Sequence, residues 1–115
     1  MRRRLIASAA AAALAAVAAG CGGGSPAQTQ THPPLTAEQQ HGKDVFIHSC
    51  GSCHKLDDAG TEGIVGKNLD VTQPSYALVL RTLAVPPKNM PANLLPNAAD
   101  AKAVAAYVAV VTRSR

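Results

Sequence analysis

Two cysteines three positions apart with a histidine directly after the second, Cys50-Gly51-Ser52-Cys53-His54, constrain this 115-residue chain more than any other feature. A CxxCH run is the attachment signature of covalently held haem, and the spacing has a physical reason. Thiols three positions apart each reach one vinyl group at the porphyrin edge, and the adjoining histidine is then forced beneath the plane, where it binds iron. Gly51 and Ser52 are small and let the backbone pass close to the ring. Other chemistries use the same residue types. A redox dithiol or disulfide of the thioredoxin kind needs a βαβ context, for which the sequence carries no pattern. A zinc site needs further ligands, and only His48 and His41 stand near enough to be recruited.

The chain opens on an address. Arg2, Arg3 and Arg4 precede an alanine-dominated apolar stretch from Leu5 to Gly20, the charged and apolar regions of a secretory signal peptide. That stretch is shorter than the ~20 residues a membrane-spanning helix needs. Ala18-Ala19-Gly20-Cys21 resembles the bacterial lipoprotein signal, so residues 1–20 are expected to be removed and Cys21 to carry lipid; ordinary cleavage leaving a free Cys21 is the alternative. Three cysteines in an exported chain cannot all pair. Here each has a use, Cys21 for lipid and Cys50 and Cys53 for haem. The formal charge of +4 includes the three leader arginines. Without them the chain is close to balanced and has no basic patch of the kind nucleic-acid binding requires.

Gly22 to Leu35, GGGSPAQTQTHPPL, is glycine, proline and small polar residues without periodicity, so residues 21–35 are expected to be a flexible tether with a reach of about 20 Å. The folded domain, residues 36–115, should begin at the capping-box pattern Thr36-Ala37-Glu38-Gln39, followed by a helix to about His48. Gly42 inside it costs ~1 kcal/mol relative to alanine, which implies that another backbone passes close there. Gly51 to Asp70 reads as an irregular loop. A short helix follows with Pro74 in its first turn, and Tyr76, Val79, Leu80 and Leu83 repeat at helical spacing. Four prolines forbid regular structure from Ala84 to Pro96. A last helix, capped by Asn97, carries Val104, Tyr107, Val108 and Val111 on one stripe. No β pattern or repeat appears, so an all-α domain of three to four helices is expected. One Phe, two Tyr and no Trp make a thin core, and domains this small commonly lean on a disulfide, metal or cofactor. A haem ring would fill that deficit.

From Thr36 to Thr112 the chain resembles the class I cytochromes c. The resemblance is carried by Gly42-Lys43-Asp44-Val45-Phe46 in the first helix, the CxxCH run, Gly66-Lys67-Asn68-Leu69, and Met90-Pro91 ahead of a terminal helix containing Tyr107. It implies a small fold wrapped around one covalent haem c, with Gly42 and Phe46 packed on Tyr107 and its neighbours. It implies Met90 as the iron ligand opposite His54, the alternatives being a packing role or replacement by His48, His41 or His32. A soft neutral thioether favours ferrous iron and raises the reduction potential. Lys67 stands where many members have proline; any residue supplies the backbone carbonyl that accepts from the axial imidazole. Pro86-Pro87 replaces a common glycine and should stiffen the loop. Leu56, Ile64, Val65, Leu69, Leu80, Leu83 and Leu94 are candidate haem walls, ordinary core packing being the other explanation at each.

The resemblance implies a one-electron carrier with no small-molecule substrate and no catalytic residue, monomeric and on the periplasmic or extracytoplasmic face of the membrane. Its partners would be redox proteins such as a quinol-oxidising complex, a dehydrogenase or a terminal oxidase. Lys55, Lys67 and Lys88 could rim a docking face or simply be solvated. Two further readings are a haem sensor or peroxidase-like enzyme in which Met90 leaves the iron, with Arg81 the candidate distal group, and a non-haem lipoprotein with a Cys50–Cys53 disulfide.

Overall fold

A computed structural model describes residues 32–113; the expected leader, Cys21 and the tether as far as residue 31 lie outside the described residues. The first helix, α1 (Ala37–Ser49), opens on the expected reciprocal cap. The Gln39 N–H donates to Thr36 Oγ1 at 3.2 Å, and the Thr36 N–H donates to Gln39 Oε1 at 2.9 Å. These bonds satisfy two of the donors every helix start leaves open. The terminal helix, α4 (Ala98–Arg113) as numbered below, is capped by Asn97 Oδ1, which accepts from the Ala99 N–H at 2.8 Å.

Between them the chain is less irregular than expected. Lys55–Leu56 (β1) pairs antiparallel with Thr61–Glu62 (β2), Lys55 opposite Glu62 and Leu56 opposite Thr61, around a 3-10 turn at Asp57–Ala59. Strands of two residues are too short to leave an alternating pattern, so sequence periodicity is blind to them. A one-turn helix, α2 (Leu69–Thr72), begins inside the expected loop, with Asn68 Oδ1 accepting from the Asp70 N–H at 2.9 Å. The next helix, α3 (Tyr76–Ala84), is capped by Ser75, whose hydroxyl accepts from the Leu78 N–H at 3.1 Å. Pro74 therefore precedes the cap instead of occupying the first turn, because a serine oxygen satisfies a free N–H and proline cannot.

The core lies where α1 crosses α4. A Cβ on Gly42 would overlap the Ala103 carbonyl, so the glycine admits the closest approach of the two backbones. One turn on, Phe46 and Tyr107 meet with ring centroids 6.1 Å apart and planes inclined at 60°, within the favourable range for tilted aromatic pairs. Cys50, Leu56, Val104, Val108 and Val111 complete the buried cluster. Leu56 is thus part of the core cluster.

The Tyr107 hydroxyl reaches past this core to donate to Asp58 Oδ2 at 2.6 Å. Lys43 Nζ lies 3.2 Å from the same oxygen, and His32 Nε2 is 2.7 Å from Oδ1. Burial alone would push the Asp58 carboxyl up. The Tyr107, His32 and Lys43 donors outweigh it and hold the group below its ordinary value. This cluster corrects the expected tether. His32 is buried and Leu35 packs on the core, so the domain begins at least four residues before Thr36. Composition marked His32 as linker because its partner Asp58 is distant in sequence.

Candidate functional site

The CxxCH residues leave α1 as two tight turns. The Cys50 and Gly51 N–H groups both donate to the Phe46 carbonyl, at 2.8 and 2.9 Å, and the Cys53 and His54 N–H groups both donate to the Cys50 carbonyl, at 3.1 and 3.0 Å. This winding puts Cys50 against the core and leaves Cys53 half-buried, both as free thiols. Burial, with Cys53 nearby, pushes the Cys50 thiol up to about 11, opposite to the depressed value of reactive dithiols. The only sheet among the described residues is the two-residue hairpin, so the context of a thioredoxin-like pair is missing. Nor do the described residues hold a group of three or more His, Cys, Asp or Glu arranged for a metal ion, which leaves a zinc reading short of ligands.

His54 is held by backbone. Its Nδ1 lies 2.8 Å from the Lys67 carbonyl oxygen. That oxygen only accepts, so Nδ1 carries the hydrogen and Nε2 keeps its lone pair for a metal. Lys67 thus supplies the expected acceptor, since the bond needs a carbonyl and not a particular side chain. The Gly66 N–H donates to the Cys53 carbonyl at 2.7 Å. A Cβ on Gly66 would overlap the imidazole, and one on Gly63 would overlap the Cys53–His54 backbone. Thr61 closes the last side, its hydroxyl donating to the His54 carbonyl at 2.8 Å. Sequence reasoning passed over Thr61 and Gly63; the one available signal was the spacing of Gly60, Gly63 and Gly66.

The expected haem walls divide. Leu69, Leu80, Leu83 and Leu94 are half-buried. Leu69 packs against the core cluster, and Leu94 lines a shallow cleft between the end of α1 and the loop before α4. Ile64 is 92% and Val65 70% exposed, joined by Val71 and Val85. Met90 is half-buried in a turn closed by its N–H to the Pro87 carbonyl at 2.9 Å. The rival histidines have other partners. His41 Nε2 is 2.7 Å from Asp100 Oδ1, His48 Nδ1 donates to the Asp44 carbonyl at 2.7 Å, and His32 is fastened to Asp58. Of the three lysines, Lys55 pairs with Glu62 at 2.7 Å and Asp57 at 3.5 Å, whereas Lys67 and Lys88 are exposed.

These residues fit a haem held by two thioethers. Two thiols and one imidazole sit within five consecutive residues. Gly66 forms a bed without side chain, and between the motif and Met90 the chain exposes large apolar side chains that a porphyrin would cover. No family model and no curated protein matches the sequence. Among solved structures, the chain is similar to the crystal structure of the c-type cytochrome SorU from Sinorhizobium meliloti. The two share 34% identity and a TM-score of 0.61, over 65% of this chain and 92% of SorU.

Proposed function

The chain belongs to the c-type cytochromes, and from that premise we propose that it is a class I carrier with a single haem, whose iron is bound by His54 and Met90. It carries haem c covalently, acts as a haem-based electron carrier and exchanges electrons with redox partner proteins. The observation that carries the finer reading is the Nδ1–H of His54 donating to the Lys67 carbonyl, because it fixes the tautomer and leaves Nε2 to a metal, directly after the segment that presents Cys50 and Cys53. For Met90, support comes from its turn at Pro87 and from the engagement of His32, His41 and His48 elsewhere.

Bound haem supplies a one-electron couple at its iron. The protein's own residues attach, orient and shield. Cys50 and Cys53 fix the ring to the end of α1, His54 is held rigid, and Met90 sits in a proline-stiffened loop that resists dissociation. With His54 and Met90 both holding the iron, no open position would remain for a substrate, which supports a carrier over an enzyme. Arg81, the candidate distal group for a peroxidase-like chemistry, is exposed on α3. The leader, the acylation of Cys21 and a place on the outer face of the cell membrane belong to the same proposal and rest on the sequence. So do a monomeric state and partners such as a quinol-oxidising complex, dehydrogenase or terminal oxidase.

Absorption spectra in both oxidation states, with and without carbon monoxide, test the reading. A low-spin ferrous form indifferent to carbon monoxide, with a weak near-infrared sulfur-to-iron band when ferric, is expected. Met90→Ala should abolish that band, open the iron to carbon monoxide and lower the potential. An unchanged spectrum in that variant excludes Met90.

A further inference from the structure

The cradle around His54 is made of main chain, with one exception. The Lys67 carbonyl takes the imidazole hydrogen, the Cys50 carbonyl takes the His54 N–H, the Gly66 N–H ties down Cys53, and Gly63 and Gly66 supply surfaces without side chains. Among the described residues, Thr61 is the one whose side chain hydrogen-bonds to His54.

Its hydroxyl makes two bonds in fixed directions. It accepts from the Leu56 N–H at 3.1 Å and donates to the His54 carbonyl at 2.8 Å. A hydroxyl has a single hydrogen, so the first bond leaves that hydrogen for the second. Leu56 is fully buried in the core and pairs with Thr61 across β1 and β2. One oxygen therefore joins the immobile core to the main chain of the histidine. The Thr61 methyl presses on the other end of the motif, 2.6 Å from where a Cβ on Gly51 would stand.

We propose that Thr61 is a positioning residue, whose hydroxyl sets the angle at which the His54 imidazole meets the iron. The inference rests on the reading that His54 is an axial ligand. Removing the hydroxyl takes this donor from the His54 carbonyl and this acceptor from Leu56, and frees the histidine main chain to tilt. Partners that hydrogen-bond a metal ligand's own ring are typically worth a factor of about 10–100 in metal affinity, and Thr61, which holds the main chain of the ligand, is assigned the lower end of that range.

The test uses the full-length, haem-loaded protein with Thr61→Val, which keeps the branched shape without the hydroxyl, and Thr61→Ser, which keeps the hydroxyl without the methyl. Ferric electron paramagnetic resonance g values, which follow ligand orientation, and the rate of acid-induced loss of histidine ligation are read beside thermal stability. The expected result is altered g values and about tenfold faster loss in Thr61→Val, with wild-type values for both in Thr61→Ser even where its stability falls. Should Thr61→Val fail to load haem, Thr61→Ala against Thr61→Ser makes the same comparison. Equal behaviour of the hydroxyl-bearing and hydroxyl-free variants, altered or unaltered, overturns the proposal. A wild-type protein without an imidazole-ligated iron signature overturns the underlying ligand assignment instead.

Discussion

The two sides of this small domain are held together differently. Where α1 crosses α4, side chains do the work: Phe46, Tyr107, Val104, Val108 and Val111 are each at most 2% exposed, and Gly42 lets the helices close. From Gly51 to Pro96, apart from Leu56 and Asp58, which join the helical side, the chain is held largely by main-chain hydrogen bonds, glycine surfaces and short elements of which α3 is the longest at nine residues, and Ile64, Val65, Val71 and Val85 remain 70–92% exposed. The first side is complete as polypeptide. The second presents thiols, an oriented imidazole and uncovered hydrocarbon, and is completed by the haem. A chain with one Phe and two Tyr can build one such helical core, and it delegates the rest of its apolar burial to the cofactor.

The most severe way to break this division is Phe46→Ala, which empties the centre of the helical side and should cost about 3–5 kcal/mol in denaturant unfolding. Gly42→Ala is next. Helix propensity favours alanine by ~1 kcal/mol, but the overlap with the Ala103 carbonyl should reverse the sign and give a net loss of about 1–3 kcal/mol. A stabilised Gly42→Ala protein would mean that the helices are not in backbone contact.

The fastening of His32 sharpens the comparison at intermediate magnitude, because it is an ionic addition to the side that is otherwise apolar. Burial lowers the tendency of His32 to charge, yet the Pro33 carbonyl and the Asp58 carboxylate outweigh it and raise the group above its ordinary value. Each ring nitrogen lies 2.7 Å from an acceptor, so only the imidazolium donates to both. A raised histidine contributes fully below about pH 6.5 and loses its contribution as pH climbs through the folded value. The lowered Asp58 contributes above its ordinary carboxylate range and loses its effect as pH falls through its own folded value. Comparing wild type with His32→Gln by unfolding across pH should give a gap of about 1 kcal/mol near pH 5.5 that narrows at alkaline pH. A pH-independent gap would reduce His32 to a packing contact.

The smallest effect belongs to the haem side. Gln73 ends α2 in the left-handed region, at φ 45°, where glycine carries no steric penalty. Gln73→Gly should raise the midpoint of thermal unfolding, by a gain of up to about 1 kcal/mol, without moving the absorption spectrum.

The helices at both ends, their caps, the buried stripe of α4, the reason for Gly42 and the CxxCH chemistry were all legible in the amino-acid order. Each depends on residues at most four apart or on a glycine whose cost demands an explanation. What the order could not express is which distant groups meet: Asp58 with His32, Lys43 and Tyr107, the Thr61 hydroxyl with His54, and Leu56 with the α1–α4 core. These are contacts between short or irregular segments, decided by how the chain closes on itself, and no periodicity announces them. A single polar residue in a loop carries no mark of its partner until packing brings the two within hydrogen-bond reach.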